Sequence, residues 1–338
     1  MRVLFHHFEP FSMAHGGLQI QIERTFAALR KLGVEVDFLR WYDGSQSGDI
    51  LHFFGRIPTT LREMAHEKGM KVVLAELLTA QGSRSRSQLA AQKLAMRVLS
   101  KAFPRLTRGF FNWESYRLAD ACVALTNWEA HLMRDLFGAR PAHLHVVPNG
   151  VADVFLEKPA AARKRTEWLV CTATITERKR ILELTRAAVQ AQTPLWVIGK
   201  PYADADGYFR QFRQVAADNP RVIRYEGAMD DPARLAEVYR QARGFVLLSA
   251  MESLSLSALE AAACECPLLL SDLPWARTVF EQTVSYCPVT GNTDETGRVL
   301  RRFYDSAPTL KVPPPPLTWD DVAVKLRAIY DKLLSNSR

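Results

Sequence analysis

Residues 245–262 read Phe245-Val246-Leu247-Leu248-Ser249-Ala250-Met251-Glu252-Ser253-Leu254-Ser255-Leu256-Ser257-Ala258-Leu259-Glu260-Ala261-Ala262. The four apolar residues that open the stretch leave no polar face, which is the pattern of a strand covered on both sides by crossover helices in a parallel sheet. A Leu- and Ala-rich helix from Ser255 to Ala262 follows. Glu252 therefore falls in the loop past the carboxyl end of a strand, where open α/β sheets bind ligands. The amides of Ser253, Leu254, Ser255 and Leu256 lead into a helix N-terminus, which favours an anion.

Outward from this stretch the same alternation of strand and helix fills the chain. Candidate strands lie at residues 3–5, 34–39, 50–53, 71–74, 122–125 and 145–147, and again at 168–172, 195–198, 222–225, 245–248 and 267–270. The chain of 338 residues exceeds what one hydrophobic core fills, so two doubly wound α/β domains are expected. A composition of 48% hydrophobic and 24% charged residues excludes disordered and fibrous classes. The apolar rhythm is lost from Leu156 to Arg165, a segment rich in Ala, Pro and charge, which places a linker near residue 160. The expected division is 1–158, 159–317 and a final helix over 318–338 that packs back toward the N-terminal domain. Pro313 to Pro316 stop the second domain, and Asp320 and Asp321 suit the start of that helix.

The charge is uneven. From Leu77 to Trp113 there is no acidic residue, while Arg84, Arg86, Lys93, Arg97, Lys101, Arg105 and Arg108 supply seven of the net +8. Leu89, Leu94, Met96, Val98, Leu99 and Phe103 are interleaved with them, and Phe110, Phe111 and Trp113 follow, giving a basic, amphipathic surface suited to an anionic partner. With no nucleic-acid-binding signature in the chain, that partner is read as a phospholipid surface and nucleic acid is not expected. The short apolar run at Val3-Leu4-Phe5 is not a signal peptide, and no stretch reaches the length of a membrane span, so the expected place is the cytoplasm, peripheral on the inner membrane face. The five cysteines have no metal-site spacing and read as reduced, mostly buried thiols.

Four features offer chemistry. His15-Gly16-Gly17 opens a helix whose N-terminus favours a phosphate, although a tight loop would use the same glycines. Glu252 and Glu260 stand eight apart; with nineteen Glu in the chain that spacing carries weight only through its place after a strand. Asp204-Ala205-Asp206 resembles a metal-holding pair but precedes a helix, where acidic residues suit the dipole, and no metal is expected. All eight histidines lie at or before residue 145, which leaves His15 and His52 as the catalytic imidazoles best placed.

The sequence from Ser249 through Glu260 to Asp272 resembles the E-x7-E element of the retaining glycosyltransferases of the GT-B fold, family 4. His15-Gly16-Gly17, the run Ala119 to Thr126 and Val146-Val147-Pro148-Asn149-Gly150-Val151 agree with that family in order and spacing. The resemblance implies two Rossmann-like parallel-sheet domains facing across a cleft, an N-terminal acceptor domain and a C-terminal donor domain. It implies a metal-independent enzyme with no cofactor, moving a hexose from a UDP- or GDP-sugar to a lipid-linked or cell-envelope polysaccharide acceptor. By that likeness Glu252 contacts the hexose, Glu260 the ribose and Lys179 the diphosphate, with Gly16, Gly17, Arg178, Ser253, Leu254, Ser255, Leu256 and Met229 completing the donor site. Glu76, at the end of the fourth strand, is a candidate acceptor contact.

The chain departs from the family at three places. Thr174 stands where an Arg is usual, leaving Arg178 as its substitute; Glu265 stands where a Gly is usual; and the fourth strand is followed by no His. Two other readings use the same features, a non-catalytic nucleotide-sugar or glycan-binding protein and a nucleotide-sugar epimerase. The second needs acid and base groups on both sides of a sugar, for which the sequence offers no convincing pair.

Overall fold

The computed structural model describes residues 1–11, 16–158 and 165–335. The chain divides into two compact units, Met1–Asn149 together with the segment from Trp319, and Gly150–Thr318. The first holds a sheet of β1 (Arg2–His6), β2 (Glu35–Phe38), β3 (Ile50–Phe53), β4 (Lys71–Leu74), β5 (Ala121–Ala124) and β6 (Leu144–Val146), in the order β2-β1-β3-β4-β5-β6. Every neighbouring pair is parallel. β3 and β5 are buried at every position, as strands covered on both faces must be, whereas the edge strand β2 buries only Val36.

The second unit holds β7 (Leu169–Thr172), β8 (Leu195–Ile198), β9 (Ile223–Tyr225), β10 (Gly244–Leu247), β11 (Leu268–Ser271) and β12 (Ser285–Cys287), in the order β12-β11-β10-β7-β8-β9. Again all pairs are parallel. Eleven strands fall where the apolar runs place them. β12 is the addition: three residues, with only Cys287 buried, carry too little apolar signal to be read.

The unit boundary falls earlier than the lost rhythm near residue 160 indicates. The short helix Asp153–Leu156 already belongs to the second unit, where Phe155 lies 6.1 Å from the Tyr239 ring. Arg240 holds the carbonyls of Val154 and Glu157 at 2.5 and 2.8 Å. The Ala- and Lys-rich stretch 159–164 lies outside the described residues.

The helix Trp319–Ser335 returns to the first unit. Its buried Val322, Ala323, Leu326, Ile329 and Tyr330 form one stripe at helical spacing. It lies along the helix Gly17–Lys31, where Lys31 pairs with Asp320 and Arg327 donates to the Leu32 carbonyl at 3.3 Å. Among the described residues no helix is long and apolar enough to cross a membrane.

Candidate functional site

β7 and β10 are neighbours, but the chain leaves them for opposite sides of the sheet. Their carboxyl ends thus border a topological switch point, where diverging loops leave a crevice for a ligand. After β10 the chain runs through residues 248–254 to Ser255, whose Oγ accepts from the Ala258 amide at 3.3 Å and caps the helix Leu256–Ala263. After β7 the Thr176 hydroxyl accepts from the Lys179 amide, closing a 3-10 turn over Glu177–Lys179. Arg180 then takes a left-handed conformation, φ 55°, that redirects the chain into the helix Ile181–Gln190.

The two loops are joined. The Ala250 amide donates to the Arg178 carbonyl at 2.8 Å, and the Arg178 guanidinium returns a bond to the Met251 carbonyl at 3.0 Å. These bonds bring three charges together: Lys179 Nζ donates to Glu252 Oε2, and Arg178 Nη1 lies 3.6 Å from the same oxygen. Lys179 and Glu252 are 12% and 11% exposed, so their attraction acts in a medium poorer than water. Two cations on one carboxylate leave a net positive charge beside a helix N-terminus, an arrangement complementary to a multiply charged anion such as a diphosphate.

Glycine is needed nearby. Gly199, after β8, has φ 156°, and a Cβ there would stand 1.9 Å from the Ala173 carbonyl oxygen. The loop after β7 therefore rests directly on the Gly199 backbone, with Ile175 donating to the Lys200 carbonyl at 3.0 Å. Gly199 also donates to the Gly227 carbonyl at 3.0 Å, tying in the loop that carries half-buried Met229.

Glu260 lies half-buried just over one turn into its helix. Its Oε2 is 3.4 Å from the hydroxyl of fully buried Tyr239, which in turn is 2.5 Å from Thr172 Oγ1. Tyr239, Thr172 and Gly199 were not legible as site residues, because their roles depend on which strands are neighbours. The structure thus gathers Arg178, Lys179, Glu252, Ser253, Leu254, Ser255, Leu256 and Glu260 around one switch point. Asp206 caps the helix Gly207–Asp218, accepting from the Tyr208 amide at 2.9 Å, in keeping with the helix-start reading of Asp204-Ala205-Asp206.

The candidates of the first unit are placed differently. His15 lies outside the described residues. Gly16 caps the helix Gly17–Lys31, its carbonyl accepting from Ile20 at 3.2 Å. His52, expected to face a cleft, is instead a core residue, 1% exposed and stacked on Phe54 at 4.4 Å. Its Nδ1 is 2.5 Å from the Tyr330 hydroxyl, its Nε2 is buried with no hydrogen-bond partner, and burial pulls its pKa down to about 3. The physical reason is register: His52 pairs with Phe5 on one side and Val73 on the other, in the middle of a sheet covered on both faces.

Both oxygens of Glu76 are held by Arg56, at 3.1 and 3.0 Å, and Tyr116 adds a hydrogen bond, so this carboxylate anchors the chain after β4. Buried Glu129, which no motif marks, accepts from the amides of Leu78 and Leu125 at 2.7 and 2.8 Å and ties the same region to β5. The basic segment forms the helix Arg86–Ala102, on which only Met96 is fully buried. Arg84, Arg86, Arg97, Lys101 and Arg105 are exposed, and half-buried Lys93 is 3.7 Å from Asp135. All five cysteines are buried free thiols; burial pushes Cys171, beside the site, up to about 12.

Residues 166–305, which contain both loops, match the family model described as Glycosyl transferases group 1. A D-inositol 3-phosphate glycosyltransferase of Acidothermus cellulolyticus is 29% identical over 193 residues, 52% of this chain and 43% of that protein. An alpha-galactosylglucosyldiacylglycerol synthase of Streptococcus pneumoniae is 28% identical over 109 residues, 32% of this chain and 29% of that protein. The chain spans less than half the length of these curated relatives. The solved structure of sucrose-phosphate synthase from Thermosynechococcus elongatus matches with a TM-score of 0.73 over 99% of both chains, at 15% identity, a likeness of fold. Residues 166–305 thus resemble a glycosyl transferases group 1 domain, and the two-sheet architecture is the GT-B fold.

Proposed function

We propose that the protein is a retaining, metal-independent glycosyltransferase of family 4 type, moving a hexose from a UDP- or GDP-sugar to a lipid-linked or cell-envelope polysaccharide acceptor at the cytoplasmic membrane face. The observation that carries the reading is the cluster of Lys179, Arg178 and Glu252 at the β7/β10 switch point, with Glu260 on the adjoining helix. In this reading the donor's diphosphate takes Lys179 and Arg178, which releases Glu252 to accept from hydroxyls of the hexose. As the bond from the sugar to the diphosphate breaks and the acceptor oxygen bonds on the same face, the acceptor's proton passes to the departing phosphate. The charge growing there is stabilised by the two cations. Glu260 accepts from the ribose hydroxyls.

The lipid-linked acceptor and the membrane are supported by the basic helix of the first unit. Leu94, Val98, Phe103, Leu106 and Phe110 are 45% to 74% exposed among the exposed Arg97, Lys101 and Arg105, a surface with apolar groups for the headgroup boundary and positive charge for anionic lipid. The name of the diacylglycerol-glycolipid synthase among the relatives supports the same class of acceptor. Replacing Arg97, Lys101 and Arg105 with Glu is expected to abolish cosedimentation with phosphatidylglycerol vesicles; unchanged sedimentation removes the membrane from the reading.

The donor site is tested by calorimetry with a panel of nucleotides and nucleotide sugars in EDTA, on the wild type and on Glu260→Ala. Binding of one UDP or GDP compound, weakened about tenfold or more by the substitution, is expected. Binding by no member of the panel overturns the reading.

A further inference from the structure

Glu260 is useful to a ribose only if its carboxylate is held in one orientation, and the residues beneath it form a relay suited to that task. Tyr239, on the helix Pro232–Gln241, is 0% exposed, and its ring packs edge-on against Phe245 at 5.9 Å and near Phe155 at 6.1 Å. The hydroxyl is therefore fixed in space. It lies 2.5 Å from Thr172 Oγ1 and 3.4 Å from Glu260 Oε2. A carboxylate only accepts, so the single phenolic proton belongs to Glu260, and Thr172 must donate to Tyr239. Burial, with the charge of Glu260, holds the phenol well above its ordinary pKa, so it remains a donor. Thr172 is the last residue of β7, which roots the relay in the sheet at the switch point.

We propose that Tyr239, oriented by Thr172, is a positioning residue that aims Glu260 at the 2′,3′-diol of the donor's ribose and makes the site selective for ribonucleotides. The inference rests on the reading of Glu260 as the ribose ligand. Phenylalanine would fill the same space in the core, so what the hydroxyl adds is direction: it occupies one lone pair of Oε2 and restricts rotation of the carboxylate. A group placed to accept from a substrate hydroxyl discriminates strongly against an analogue that lacks it.

The probes are UDP and GDP with their 2′,3′-dideoxy counterparts, titrated by calorimetry into the full chain. The wild type is expected to prefer the ribonucleotide by about a hundredfold, and Tyr239→Phe to cut that preference about tenfold while leaving the dideoxy affinity unchanged. Thr172→Val, which keeps the shape of the side chain, is expected to shift the preference in the same direction by a smaller factor, and it carries the test if the tyrosine variant does not fold. Equal weakening of both nucleotides in these variants would mean a structural role and overturn the proposal. So would a preference that Glu260→Ala abolishes and both relay variants leave intact. A wild type that binds the two nucleotides equally overturns the ribose reading of Glu260 itself, a different failure.

Discussion

At the switch point of the first sheet, between β1 and β3, the strands end among rings: His6 and Phe8 meet Phe53 edge-on at 5.4 and 5.1 Å, and Phe54 stacks on His52. At that of the second sheet, between β7 and β10, they end in Lys179, Arg178 and Glu252. Both are crevices at the carboxyl ends of parallel strands, yet the first is built by ring packing and the second by charge. Topology sets where a ligand can bind in each unit, and the residues past the strand ends decide what kind. The charge of the second is the one complementary to an anion.

The contrast is broken most severely through Gly199. An alanine Cβ 1.9 Å from the Ala173 oxygen forces apart the two loops that position Lys179. Gly199→Ala is expected to destabilise the protein by about 3 kcal/mol and to abolish nucleotide binding. Denaturant unfolding with parallel calorimetry checks this, and a variant with wild-type stability and affinity would show that the loop packing is slack.

The first switch point is tested through His52. With its folded pKa near 3 and an unfolded value near 6.5, the unfolded chain binds a proton that the folded chain refuses across that window. The full stability is present above pH 6.5, and about 1.4 kcal/mol is lost per pH unit as the pH falls from there toward 3. His52→Gln keeps a partner for Tyr330 and removes the titration, so between pH 7 and pH 5 it should lose about 2 kcal/mol less than the wild type. Its transfer rate at pH 7 should be unchanged for molecules that are folded. Parallel unfolding profiles for the two proteins, or a rate that collapses without loss of fold, would return His52 to the list of chemical groups.

How legible these features were follows the same division. β8 is an uninterrupted apolar run, and β3 and β4 are apolar apart from His52 and Lys71, so their limits were readable because burial on both faces leaves no other pattern. Glu252 and Glu260 stand out in the sequence through their place past a strand already found, and Lys179 only through the resemblance to the glycosyltransferase family. His52 was misplaced because strand position does not tell how deeply a residue sits once two neighbours and a helix close over it. Tyr239 and Thr172 meet across 67 residues, a contact that exists only after β7 and β10 pair. The unit boundary near 150 has no local signature, because the short helix at 153–156 joins the second unit through Phe155 beside Tyr239 and through backbone carbonyls held by Arg240, partners that only the fold brings together.

The charge cluster itself yields a sharper and smaller effect. In the structure Glu252 occupies Lys179, so in the proposed reading a diphosphate competes with that carboxylate for the ammonium. Glu252→Gln removes the competing charge and keeps the shape. It is expected to tighten binding of UDP or GDP alone by about tenfold while lowering sugar transfer, since the amide is a poorer acceptor for hexose hydroxyls. Opposite signs in calorimetry and turnover are the signature; weaker nucleotide binding would mean that Glu252 supports the phosphate site instead of opposing it.

The smallest effect lies at the far end of the same helix. Glu265 follows the helix Leu256–Ala263 in a left-handed conformation, φ 56°, where a side chain clashes with its own backbone and glycine does not. The resemblance to the glycosyltransferase family places a glycine there, and the geometry explains why one is suited to it. The strain is offset in part by Arg165, which donates to the Glu265 carbonyl at 2.8 Å and to that of Ala242 at 2.8 Å, so the turn is held by backbone contacts that a glycine would keep. The Glu265 side chain is 63% exposed, and its ion pair with Lys158 at 3.9 Å adds little. Glu265→Gly is therefore expected to stabilise the second unit by about 0.5 to 1 kcal/mol, relief of the strained angle outweighing the greater freedom of the unfolded chain. Nucleotide affinity should not change, because the turn lies at the opposite end of the helix from Ser255. A lower unfolding midpoint in the glycine variant would show that the left-handed glutamate is better tolerated than its backbone angle implies.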